Sequence, residues 1–321
     1  MIAFLIRRIA YGFLVLAGVV SIVFFLFNVL PGDPARMMLG QRADQEAIEA
    51  INKNLGRDRS LPVQFFNYLN DLSPISIHSK NPESILYLAD DEYDYSTLMN
   101  FGENVLVIKE PYLGRSYQSQ KKVTDILAEI LPETAVLAVS AIIIAGIIGI
   151  LLGLLSAIFK DSFLDKAILV LATSGMALPS FFMGIIFAWL FGFVLSKYTG
   201  LDMTGSLYEV DDLGRGEFIR WRNLILPAIT LGIRPLAVVA QLSRNSFLDV
   251  MSQDYIRTAK AKGLSFKKTM WKHALKNALN PVITALSGMF ASLMAGAVFV
   301  EIIFAWKGIG YEIVMALEKY D

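Results

Sequence analysis

The sequence predicts an all-α membrane protein, and three observations carry that prediction. Of 321 residues, 55% are hydrophobic and 18% charged, with a mean hydropathy of +0.52; a soluble domain is nearer half apolar and a quarter charged. The apolar excess is gathered into five runs, 9–30, 135–159, 167–196, 224–243 and 282–300, each near the roughly 20 residues a helix needs to cross hydrocarbon. Basic residues collect between alternate runs, the pattern of a multi-pass chain that keeps its positive loops inside.

The first run follows Arg7 and Arg8. Its apolar stretch is longer than a signal core and no A-x-A-like site follows, so it reads as an uncleaved anchor, with a signal peptide as the alternative. The two arginines put the N-terminus in the cytoplasm. The second run lies between Glu133 and Lys160, and the turn KDSFLDK (160–166) returns to the inside. The third is long enough to tilt or to break at Pro179. The fourth carries one charge, Arg234, beside Pro235; a proline there frees a backbone carbonyl and can kink the helix. The fifth is followed by the amphipathic piece YEIVMALEKYD (311–321). Loops 31–132 and 197–223 fall outside, and the first is acidic on balance, including LADDEYDYS (88–96). That acidic cluster reads as a solvated loop, since it lacks the glycine-containing spacing of an EF-type calcium loop. The domain reading is an N-terminal helix over 1–30, an external loop region over 31–132 and a helical core over 133–321.

Small residues recur at four-residue spacing in two runs, as Ala145, Gly149, Gly153 and as Gly288, Ser292, Gly296. Such rows let helices approach closely in lipid, so ordinary bundle packing accounts for them.

The internal segment 244–280 holds Arg244, Arg257, Lys260, Lys262, Lys267, Lys268, Lys272 and Lys276 against Asp249 and Asp254. Within it, DYIRTAKAKGLSFKKTMWKHALKNALNP (254–281) reads as two helices. Tyr255, Ile256 and Ala259 share one face by their spacing. Gly263 is placed as a C-terminal cap and Ser265 as the next N-cap. From Phe266 an apolar stripe recurs with period 3.6 opposite the lysines, and Pro281 marks the boundary with the fifth span. A basic amphipathic pair suits three uses: lying on anionic lipid, docking in a partner's groove, or binding nucleic acid. The basic residues are too few and too tethered for the last.

This segment resembles the cytoplasmic EAA loop of ABC-importer permeases, in the form typical of the first permease subunit of the dipeptide, oligopeptide and nickel family. The matching residues are Arg257-Thr258-Ala259, Gly263, His273-Ala274-Leu275, Asn277-Ala278 and Pro281. The resemblance is collinear over most of the chain. LIRRIAYGFLVL with LPGDPA (30–35) resembles the family's first helix and its turn, and LGRSYQSQKKVTDILAEILPETAVLA (113–138) its entry to the second. ALPSFFMG (177–184), LILPAITLGI (224–233), SRNSFLDVMSQDYIRTAKAKG (243–263) and GAVFVEIIFAWKGIGYEIVMAL (296–317) follow in order.

The resemblance implies a type I ABC importer transmembrane domain forming half of a translocation pore. It implies as partners a second permease subunit, two ATP-binding subunits that carry ATP and Mg, an external solute-binding protein and membrane lipid, with no cofactor in this chain. It assigns ATPase coupling to Asp254, Tyr255, Ile256, Arg257, Thr258, Ala259, Lys260, Ala261, Lys262 and Gly263. The face formed by Tyr255, Ile256 and Ala259 would fill an ATPase groove, and Lys260 and Lys262 would contact its rim. The implied location is the bacterial inner membrane. The sequence itself contains no G-x-x-x-x-G-K-[ST] phosphate loop, so active transport needs an ATPase in trans. Arg234, Pro235, Pro179, Glu301 and Phe304 are the pore or gate candidates. Arg234 is chosen for its depth alone, because charges within spans usually face a pore or a partner.

Three departures from the family pattern stand out. The stretch 73–110 has no counterpart in it, Lys307 replaces a frequent proline, and a sixth helix expected in the family would follow residue 321. Among rival functions, a secondary transporter or channel would show an internal repeat or embedded acidic coupling groups, and neither is evident. A membrane enzyme would need a nucleophile, base or metal constellation within the spans; the chain has no cysteine and two histidines. A scaffold remains open, as does the identity of the cargo.

Overall fold

The computed structural model describes residues 2–29, 44–54, 56–82, 84, 86–89, 92–211, 214, 216–319 and 321. The LPGDPA turn (30–35) and residues 90 and 91 of the acidic stretch lie outside them. The chain divides into two compact units, residues 1–126 with 319–321, and residues 127–318. Among the described residues four helices are long and apolar enough to cross a membrane, five if one sharply bent pair counts as a single span.

In the first unit, α1 (Ile2–Val29) is apolar all round beyond Arg7 and Arg8 and mostly exposed, which suits a helix surrounded by lipid or by other chains. Its Phe24 is buried against Phe65 and Tyr68 of α3 (Leu61–Leu72), with ring centroids 5.1 and 5.5 Å apart; α2 (Gln45–Asn54) precedes α3. The stretch 73–110 folds into an antiparallel sheet of β1 (Ile75–Ser79), β2 (Tyr95–Phe101) and β3 (Asn104–Lys109), in the order β1-β3-β2. Gly102, at φ +64°, makes the tight turn between β2 and β3, a conformation that glycine adopts at no steric cost. Period-2 alternation sorts the faces: Ser76, His78, Val105, Val107 and Lys109 are buried, while Ile75, Ile77, Met99, Phe101 and Ile108 are exposed.

Behind the sheet lies a polar cluster. Tyr93 Oη donates to Asp71 Oδ1 at 3.0 Å, Lys109 Nζ donates to the Asp71 carbonyl, and His78 Nε2 lies 3.0 Å from Ser76 Oγ. Burial, and then the Lys109 ammonium, hold His78 below the ordinary imidazole range; burial, and then the Asp71 carboxylate, push the Tyr93 phenol upward.

The second unit is the helical bundle. The helix α4 (Val123–Ile158), whose first turn belongs to the other unit, starts well before the expected 135 and runs through Pro132. Its Ala145, Gly149 and Gly153 row packs on α7 (Arg222–Met251): a Cβ on Gly149 would lie 2.8 Å from Val239 Cγ1, and one on Gly153 2.4 Å from the Ala240 carbonyl. In the other row, a Cβ on Gly288 would meet nothing within 4 Å among the described residues. The third run is broken as its proline suggested. Between α5 (Phe163–Ala177) and α6 (Ser180–Phe187) the chain turns by 106°. Pro179 sits at the N-cap of α6, where its missing N–H costs least; α6 runs on as a π-helical stretch, Ala188–Val194. A short hairpin, β4 (Tyr208–Val210) and β5 (Glu217–Ile219), precedes α7.

Past α8 (Asp254–Ala261), the basic helix and the fifth run form one rod, α9, rather than two elements divided at Pro281. It comprises Phe266–Thr269, a π-helical Met270–Ala274 and Leu275–Gly296. Pro281 is exposed, so its ring and the carbonyl it leaves without a helix partner disturb no packing. The short α10 (Val298–Phe304) and α11 (Ile309–Lys319) close the bundle. Two apolar clusters hold it. One joins Leu137, Ala141, Leu226, Leu231, Val300, Phe304 and Trp306; the other joins Leu154, Ala157, Phe247, Ile256, Ala274 and Ala278.

Candidate functional site

The basic end of the bundle is built around α8. Thr258 Oγ1 donates to the Asp254 carbonyl at 3.0 Å. The Arg257–Asp254 pair at 3.4 Å is open to water on both sides and contributes little. At the other end of α8, Gly263 takes φ +76°. Its N–H donates to the Lys260 carbonyl at 2.9 Å, and the Leu264 N–H reaches back to the Ala259 carbonyl at 3.3 Å. This left-handed cap satisfies carbonyls that would otherwise be orphaned. Ser265 Oγ then accepts from Lys268 N and starts α9.

The apolar face of α8 does not face outward. Ile256 is fully buried, in the cluster shared with α4, α7 and α9, and Ala259 is buried as well. Tyr255 is 41% exposed, and its hydroxyl accepts from Asn277 Nδ2 at 2.9 Å. Of the face formed by Tyr255, Ile256 and Ala259, expected to fill a partner's groove, only Tyr255 is open to solvent. Apolar periodicity marks a face that leaves water, and the nearest apolar surface is the chain's own. What α8 offers outward is Asp254, Arg257, Thr258, Lys260, Ala261, Lys262 and the edge of Tyr255, with Gly263 beyond.

A second anchor, which sequence reasoning missed, ties this end together. Arg244, in the last turns of α7, grips Asp165 at the start of α5: Nε reaches Oδ1 and Nη2 reaches Oδ2, each at 2.8 Å. Ser156 Oγ of α4 donates to the same Oδ1, and Asp161 N donates to Oδ2 at 2.9 Å. The side chains are 15% and 3% exposed. A bidentate pair with both carboxylate oxygens further satisfied is the geometry in which a buried ion pair repays its desolvation. An aspartate in a short turn and an arginine at the end of an apolar run were the only signals, and they do not say that the two meet.

At the opposite end of the bundle, Glu301 and Phe304 are wholly buried. Glu301 Oε1 accepts from Thr134 Oγ1 at 2.8 Å, and Oε2 accepts from Tyr311 N at 2.9 Å. Thr134 Oγ1 accepts in turn from Ile309 N at 2.8 Å. A Cβ on Gly308 would come within 2.3 Å of Glu301 Oε1, so only glycine closes this turn. Beside it, Ser206 Oγ donates to Glu133 Oε2, and Trp306 Nε1 donates to the Glu133 carbonyl at 3.1 Å. Glu301 and Phe304 thus hold the turn from inside.

The remaining candidates lie between the two ends. Arg234 is exposed near the middle of α7, and Pro235 beside it is buried. Pro179 is exposed at the break between α5 and α6. An arginine facing hydrocarbon at the centre of a span costs about 2.5–3.5 kcal/mol on insertion scales, so its surroundings in the membrane are not plain lipid.

Residues 149–321, more than half of the chain, match the model of the binding-protein-dependent transport system inner membrane component, and residues 1–79 match that for the N-terminal part of such membrane components. The chain belongs to this family. As an inner membrane component it is a multi-pass protein of the inner membrane. It is similar to a di/tripeptide transport system permease protein of Pseudomonas aeruginosa, with 31% identity over 100% of this chain and 89% of that one. It is 34% identical to a probable D,D-dipeptide transport system permease protein of Escherichia coli, over 99% of this chain and 87% of that one. A glutathione transport system permease protein of Escherichia coli is 30% identical, over 100% and 88%.

Proposed function

We propose that this inner membrane component is the permease subunit of an ATP-driven importer for peptides or related small solutes. In this reading it forms half of the pore with a second permease subunit, receives cargo from an external solute-binding protein, and carries α8 and the N-terminus on the cytoplasmic side. Two ATP-binding subunits supply hydrolysis. The peptide permeases it resembles in sequence support the cargo class, and the basic bias of 244–280 supports the orientation.

One observation carries the coupling role. The helix α8 turns Arg257, Lys260 and Lys262 outward while Ile256 is locked into a cluster drawn from three long helices. A helix with a free basic face and a fixed apolar root receives a push and passes it on. The contact to an ATPase is then polar and rests on exposed cations, so it is testable without disturbing the core. The double substitution Arg257→Glu with Lys260→Glu, in the complete importer, leaves the chain inserted in the membrane and abolishes co-purification of the ATP-binding subunit, together with ATP-dependent peptide uptake. Uptake and co-purification equal to the parent's refute this role for α8.

A further inference from the structure

We infer that Arg234 is the carboxylate-recognising group of the passage, which makes this permease selective for solutes with a free carboxylate, such as peptides with an unblocked C-terminus. The inference rests on the importer reading above and goes further, by naming a specificity-determining residue and what it takes.

Two independent observations meet at one level of the bundle. The first is the cation itself. Arg234 stands near the middle of a 30-residue apolar helix, exposed, with no hydrogen bond or ion pair among the described residues. Arg244, ten residues on in the same helix, is by contrast fully engaged by Asp165. A mid-span guanidinium is retained where it faces water or an anion.

The second is the broken span beside it. The break at residues 178 and 179 lies between Gly175 and Gly184, and both glycines rest on α7 within one turn of Arg234. A Cβ on Gly175 would lie 3.1 Å from Ile233 Cγ2, and one on Gly184 3.4 Å from Thr230 Cγ2. Residues 176–179 are exposed. Pro179 has no N–H for the Gly175 carbonyl, and Pro235 has none for the Leu231 carbonyl. Non-helical backbone at membrane depth is tolerated where it is buried in protein or lines a water-filled cavity, and here it is not buried. Thr230, one turn before Arg234, adds a buried hydroxyl without a partner among the described residues.

A planar guanidinium matches a carboxylate with two parallel hydrogen bonds, and the Gly175 carbonyl beside the exposed break accepts an N–H group. Together they fit a peptide terminus better than a neutral sugar or a metal cation. Three side chains suffice to define the stripe on α7: Arg234, then Gln241 and Asn245 on the same face toward the basic end. Gln241 also reaches Thr173 Oγ1 of α5 at 3.4 Å.

The test uses the complete importer in proteoliposomes, with an equimolar mixture of random tripeptides, half carrying a free C-terminus and half amidated. Mass spectrometry of the lumen reads ATP-dependent uptake of each. Parent vesicles that accumulate no peptide refute the importer reading, and this inference with it. Where the parent transports, Arg234→Gln lowers uptake of the free-acid peptides about tenfold, the scale of a lost charge-assisted pair, and Arg234→Lys restores most of it. Three results overturn the inference while leaving the importer reading intact: unchanged uptake in Arg234→Gln, no recovery in Arg234→Lys, or loss of the second permease subunit from purified Arg234→Gln complexes. The last would mean that Arg234 pairs with a carboxylate of that subunit.

Discussion

Arg244 and Asp165 are joined by two hydrogen bonds of 2.8 Å across the basic end of the bundle, uniting the close of α7 with the opening of α5. Removing one partner strands the other charge in a buried site, at a cost of about 3–5 kcal/mol. Arg244→Ala therefore lowers the thermal unfolding temperature of the purified chain sharply. The double variant Asp165→Leu with Arg244→Leu recovers much of the loss, because it leaves no unpaired charge. A double variant as unstable as the sum of the single ones would contradict this account.

Gly263 is a backbone position, not a packing one. At φ +76° it is strained for other residues, yet an added Cβ meets nothing within 4 Å. Substitution then costs about 1 kcal/mol through conformation alone. Asparagine is tolerated best, alanine less and valine least. Limited trypsin cleavage after Lys260 and Lys262 reads the fraying of α8 and follows that order.

The two small-residue rows separate in the same way. Gly153→Val drives a side chain into the Ala240 carbonyl, 2.4 Å from the Cβ position, and destabilises the isolated chain by about 1–3 kcal/mol. A Cβ added at Gly288 meets nothing within 4 Å among the described residues, and Gly288→Val changes the unfolding temperature by less than about 2 °C. Differential scanning fluorimetry in detergent compares them directly.

His78 gives the first unit a pH dependence. Burial, and then Lys109, depress its proton affinity. The unfolded chain takes the proton near pH ~6.5, and the folded chain resists it to lower pH. The stability tied to this group is complete above ~6.5 and drains away as the pH falls below it. Hydrogen exchange of residues 75–79 and 104–109, corrected for intrinsic rates, is faster at pH 5.5 than at pH 7.5 in the parent. In His78→Leu the difference shrinks.

The spans were legible because lipid imposes one demand, a long uncharged run, and leaves little room for exceptions. The break at Pro179 was legible for a similarly local reason, since the ring forbids the next hydrogen bond. Pro281 misled: the same chemistry is tolerated within a helix where the ring faces outward. The three-stranded sheet in 73–110 went unread because five- to seven-residue strands in a loop are far weaker signals than a 20-residue run. At the candidate site, the glycine cap and the Ser265 start were visible as residue types at fixed offsets. The burial of Ile256 and the meeting of Arg244 with Asp165 were not, because both depend on which distant surface arrives alongside.

The burial of Ile256 has a mechanical consequence. Because that side chain shares one close-packed cluster with residues of α4, α7 and α9, the connection at α8 has almost no slack. In the coupling role proposed for α8, a displacement there arrives at three helices at once, so the transition it drives is a step rather than a slope.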